Sequence, residues 1–143
     1  MELKKKHFVY YTIVLLVGVV VLNTQISVGI LVGSSMTPLW SEQPTLTVLD
    51  TTESVSELEE NDIVSYTDQE YDGVTHRIYD ISDEQITVNG DTLLSVERTY
   101  SIEEFKNRYN GTVIWSYDTG YNQIIEPGTT TASEDQMESY ISE

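Results

Sequence analysis

The stretch that decides the fold is IVSYTDQEYDGVTHRIYDISDEQITVNG, residues 63–90. Ile63-Val-Ser-Tyr66, Val74-Thr-His-Arg-Ile-Tyr79 and Gln85-Ile-Thr-Val88 are short runs rich in β-branched and aromatic residues, the composition of strands. Polar, glycine-bearing segments separate them. Asp68-Gln-Glu-Tyr-Asp-Gly73 predicts a hairpin loop with solvated carboxylates. Asn89-Gly90 predicts a tight reversal, because both residues tolerate positive φ.

The same pattern continues outward. Thr45-Leu-Thr-Val-Leu49 and Thr112-Val-Ile-Trp-Ser-Tyr117 read as strands, and Ile26-Ser-Val-Gly-Ile-Leu-Val32 leads directly into Gly33-Ser34-Ser35-Met36. One helix signal occurs: Ser101-Ile-Glu-Glu104 forms a capping box that opens a short segment to about Tyr109. The expectation is a mainly β fold, a compact all-β domain over residues 29–127 with one short helix. Residues 128–143 are polar and read as a disordered tail.

Charge divides the chain. Its 143 residues carry a net charge of −17, yet no formally charged residue lies between Lys6 and Glu42. Within that gap the run from Phe8 is apolar enough, when extended to Val28, to match the hydrocarbon thickness of a bilayer. A cleaved secretory signal and a buried soluble helix are the competing readings. No convincing small-x-small cleavage site follows, so an uncleaved transmembrane anchor at 8–28 is preferred. Lys4, Lys5 and Lys6 then hold a head at 1–7 in the cytoplasm and send the domain outside. The remainder is acidic throughout and retains one lysine, Lys106, which suits a halophilic surface. So acidic a chain lacks the basic footprint of a nucleic-acid binder. With no cysteine there is no thiol nucleophile, disulfide or thiolate zinc site. Two histidines, His7 and His76, leave little for a metal site, and no metal or organic cofactor is expected.

Four short motifs follow one another. They are Gly33-Ser-Ser-Met-Thr-Pro-Leu-Trp40, Glu60-Asn-Asp-Ile-Val-Ser-Tyr66, Thr75-His-Arg-Ile78, and Val88-Asn-Gly-Asp91 with Glu97 six residues later. In this order, behind an N-terminal anchor, they resemble type I signal peptidase in its archaeal/endoplasmic-reticulum form. That family shows Ser-Gly-Ser-Met-x-Pro, Gly-Asp-Ile-Val, His-Arg-Ile and Lys-Gly-Asp followed by another acid. The resemblance spans roughly residues 8–115. It implies a signal-peptidase-like β domain and a serine endopeptidase that removes signal peptides from exported preproteins. The partners it implies are those signal peptides, the lipid bilayer and the protein-export machinery.

The resemblance makes Ser35, which immediately precedes Met36, the nucleophile. A serine needs a base within hydrogen-bond reach. The bacterial branch uses a lysine, but Lys106 is far from the motif, so the base is His76. Asp91 matches the aspartate of Lys-Gly-Asp and Glu97 the second acid; both are candidates to support the imidazolium. Ser34 stands at the family's glycine and Gly33 at its earlier, oxyanion-assisting serine, so Ser34 substitutes for that hydroxyl only if its side chain turns inward; Ser34 and Met36 are the expected oxyanion and substrate-positioning residues. Asp62 is a turn residue, and Asn61, replacing a glycine, can take the left-handed conformation. These departures, with Asn89 for lysine and Glu97 for aspartate, motivate a rival: a catalytically degenerate domain that binds peptides or serves a structural role.

Three further motifs have plainer readings. Asp118-Thr-Gly120 matches the aspartic-protease triplet, but that chemistry needs two aspartates, and a surface turn is expected. The segment beginning at Asp68 opens like a calcium loop, yet Tyr79 stands where a bidentate glutamate is required. Asn110-Gly-Thr112 is a glycosylation sequon.

Overall fold

The computed structural model describes residues 2–93 and 95–126, with side chains described except at 2–7 and 21–24. The tail at 128–143 lies outside the described residues. Helix α1 (Glu2–Gln25) leads without a break into strand β1 (Ile26–Leu31). Then come β2 (Thr45–Asp50), a 3-10 turn at Val55–Glu57, β3 (Ile63–Tyr66), β4 (Val74–Ile81) and β5 (Gln85–Asn89). The chain continues through β6 (Arg98–Ser101), α2 (Ile102–Arg108), β7 (Tyr109–Asp118) and β8 (Gln123–Ile125). All pairings are antiparallel. The order is β1-β2-β7-β3-β4-β5-β6, with β8 beside β7. The mainly β architecture expected from the sequence is the one observed.

β3 is central, between β7 and β4, and all four of its residues are buried. Because side chains alternate, it feeds two cores. Val64 and Tyr66 join Ile78, Ile86, Val88, Tyr100 and Phe105 in one cluster. Ile63 joins Met36, Leu39, Trp40, Leu49 and Val113 in the other. Helix α2 closes the first cluster by burying Phe105. The Ser101 hydroxyl accepts from the Glu104 N–H at 3.1 Å, which is half of the expected capping box. The other half is absent because the Glu104 carboxylate turns to Arg108, 2.9 Å away.

Three boundaries differ from expectation. Residues 26–28, assigned to the anchor, pair with Val48–Asp50 as part of β1. From Phe8 onward the helix carries no charged residue, and neither does this edge strand, so the charge gap could not separate them. Asn89-Gly90 is not a two-residue reversal: β5 ends there and a longer loop runs to Arg98. The strands β6 and β8 were not anticipated, being only four and three residues long. All α1 side chains from 8 to 20 are exposed, Phe8, Leu15 and Leu16 among them. Among the described residues, no helix is long and apolar enough to cross a membrane.

Candidate active site

Residues directly opposite each other in an antiparallel pair share a face. Val64 lies opposite His76 and Ile63 opposite Arg77, so His76 falls on the Val64/Tyr66 face and Arg77 on the other. The pattern then dictates two different environments for two adjacent polar residues.

His76 is buried, with its Nδ1 3.0 Å from the hydroxyl of fully buried Tyr66. Burial pushes the imidazole pKa down to about 4, against an opposing pull from the Asp91 charge. The ring is therefore neutral at physiological pH, the state a general base requires. Tyr66 itself is held neutral, its pKa raised chiefly by burial.

Arg77 is also buried, and a buried guanidinium needs full pairing. It donates from Nε and Nη2 to the two Asp91 oxygens, each at 2.8 Å, and from Nη1 to the Asn61 carbonyl at 3.2 Å. Asn61 takes φ of 75°, the left-handed turn anticipated for it, and Asp62 accepts from the Glu59 N–H at 2.8 Å. The bidentate bond fixes the loop after β5, and that loop touches the Ser35 backbone. The Thr92 N–H donates to the Ser35 carbonyl at 3.1 Å. A Cβ on Gly90 would overlap the same carbonyl, so glycine is needed here for close approach.

Ser35 and His76 line one cavity of about 600 Å³. Ser35 is half-buried; its hydroxyl makes no hydrogen bond to His76 or to any other described residue, and its N–H is likewise without an acceptor among them. Ser34 is exposed and Met36 is buried in the second core while also lining the cavity. Asp91 acts on His76 only through space, since its oxygens belong to Arg77. Glu97 is exposed and forms no hydrogen bond or ion pair with a described residue. Of the four residues expected in the catalytic set, the fold brings Ser35 and His76 to one cavity and leaves the acids outside it.

Strand edges border the cavity. Among the described residues β1 pairs only with β2, and the chain beyond it, Val32 to Ser35, lines the cavity. On the far side, Val74–His76 pair with β3, while pairing with β5 begins only at Arg77. Both edges therefore offer backbone groups to an extended chain.

Tyr66 is the residue that sequence reasoning missed. The period-two rule was enough to find it: it shares a face with Val64, the cross-strand partner of His76. Asp68 was expected to be solvated, yet it is buried, accepts from Tyr100 at 3.1 Å and from the Gln69 N–H at 2.7 Å, and is ion-paired with Arg98. Asp118 was expected on a surface turn, yet it is fully buried. It accepts from the Ser41 N–H and hydroxyl, the Thr45 hydroxyl and the Tyr121 N–H at 2.7–2.8 Å. Burial works against its charge, but these hydrogen bonds outweigh it and hold the carboxyl below its usual pKa. It ties the turn after Ser35 to the end of β7. No family model, curated protein or solved structure matches the chain.

Proposed function

We propose that the protein is a membrane-anchored serine endopeptidase of the type I signal peptidase kind, acting on exported preproteins. The observation that carries the reading is that Ser35 and His76, far apart in sequence, line one cavity bordered by two free strand edges. An extended substrate adds there as a strand, giving main-chain hydrogen bonds while the cavity takes small side chains. Ser35 Oγ attacks the scissile carbonyl and His76 Nε2 takes its proton. The C–N bond then breaks as Nε2 returns that proton to the leaving amine. Water, deprotonated by the same nitrogen, releases the acyl group from Ser35. The free Ser35 N–H is a ready oxyanion donor.

The anchor is read from the charge-free, mostly apolar run that begins at Phe8 behind Lys4–Lys6, whose side chains are exposed from 8 to 20. With Lys4–Lys6 cytoplasmic, the β domain lies outside the cytoplasm, beside the export machinery and where signal peptides emerge. The acidic surface suits high salt.

A second reading, a non-catalytic peptide-binding domain, draws on the missing Ser35–His76 hydrogen bond and on the pairing of Asp91 with Arg77. Cleavage of a preprotein by the full chain in lipid vesicles at high salt separates the two. Ser35→Ala and His76→Ala are each expected to lower the rate by at least ~10³-fold. Unchanged processing by either variant would overturn the assignment of that residue.

A further inference from the structure

We propose that the Tyr66 hydroxyl, in place of a carboxylate, is the group that positions the His76 imidazole and accepts a hydrogen bond from its Nδ1–H as the ring becomes cationic. The inference rests on the hydrolytic reading above. Its basis is geometric. Tyr66 Oη is 3.0 Å from Nδ1, Asp91 is bound to Arg77, and Glu97 is exposed. The Tyr66 ring is locked by Tyr100 and Phe105, with centroids 5.8 and 5.5 Å away, so its hydroxyl has one place to go.

A phenol can serve both protonation states of the ring, because its O–H turns about one bond. Toward the neutral ring it forms an ordinary hydrogen bond. Toward the imidazolium it accepts from Nδ1–H, and that bond is charge-assisted and stronger. In the productive tautomer Nδ1 carries the ring proton. Nε2 takes the Ser35 proton, Nδ1–H donates to Oη, and the phenol keeps its own hydrogen. An interaction stronger in the transition state than in the ground state raises kcat. A neutral acceptor does this less well than a carboxylate would.

Tyr66→Phe tests the proposal, because it keeps the ring packing and deletes one oxygen. Tyr109→Phe is the control; its hydroxyl bonds Thr112 at 2.6 Å, outside the cavity. With a quenched peptide carrying small residues at the cleavage point, and full chain in detergent, Tyr66→Phe is expected to lower kcat about 10-fold with KM unchanged. Tyr109→Phe is expected to leave both unchanged. A Tyr66→Phe kcat within twofold of the parent would overturn the proposal.

An NMR titration of His76 decides the matter without activity, with His7 identified by its replacement with Gln. The ring meets the Tyr66 hydroxyl from β3 and feels the Asp91 charge from the loop after β5, while Asp68 and Arg98, paired with each other, line the same cavity. If Tyr66 serves the cation, Tyr66→Phe lowers the His76 midpoint. If the phenol serves only the neutral ring, the midpoint rises, and the proposal fails. A parent protein that cuts nothing would sink the hydrolytic reading, while the direction of this titration would still decide the role of Tyr66.

Discussion

His76 and Ser35 face the same cavity but are held in opposite ways. His76 sits on a paired strand, buried, with its ring against a fully buried tyrosine. Ser35 sits on a turn held by backbone contacts, the Thr92 N–H on its carbonyl and the Gly90 backbone beside it, and its hydroxyl has no hydrogen-bond partner among the described residues. The imidazole is thus fixed by packing with the first core. The serine is placed by loops that buried charges tether, Asp91 through Arg77 on one side and Asp118 through Ser41 on the other. The difference teaches that the carboxylates of this domain organise the surroundings of Ser35 more than they contact His76.

The strongest way to break the comparison is to release the serine side. Asp118→Ala removes the acceptor of four hydrogen bonds in a fully buried site. Charged hydrogen bonds are among the stronger ones and their orphaned donors stay buried, so a loss of about 4 kcal/mol is expected. Urea unfolding would read it. A loss below ~1 kcal/mol would show that the turn after Ser35 holds itself without the carboxylate.

Much of this arrangement was legible before any coordinates. Strands β2 to β5 and β7 follow from alternation and turn chemistry, and His76 was singled out because no other base is available. The carboxylates were not legible. In a chain with 24 acidic residues, nothing local distinguishes Asp68 and Asp118, which are buried by distant partners such as Arg98 and Ser41, from solvated ones. Asp91 was matched to a motif position, but its partner depends on which face of β4 it meets. That face belongs to Arg77, one residue from His76. A single step along a strand moves the charge from His76 to Arg77.

The base side can be sharpened by pH. The folded His76 pKa is about 4, below the ordinary 6.5 of an unfolded histidine, so the unfolded chain binds the extra proton first. Its contribution is fully present above about pH 6.5 and is lost as pH falls toward about 4. The difference in unfolding free energy between the parent and His76→Gln should therefore shrink by roughly 2–3 kcal/mol across that window. A difference independent of pH would mean the ring is as well solvated as a surface histidine.

The smallest effect belongs to Glu97. Its side chain is exposed and bonds no described residue, so Glu97→Gln removes one charge and leaves the shape intact. Surface substitutions of this kind stay within about 0.5 kcal/mol, and kcat on the quenched peptide is expected to be unchanged. A substantial fall in kcat without loss of stability would mean that the loop carrying Glu97 folds in over the cavity when substrate binds. The acid would then reach the imidazole only in the complex, and His76 would share Tyr66 with a carboxylate. Equal rates would leave the neutral phenol as the ring's only direct partner, and the contrast between a packed base and a tethered nucleophile would hold through the reaction itself.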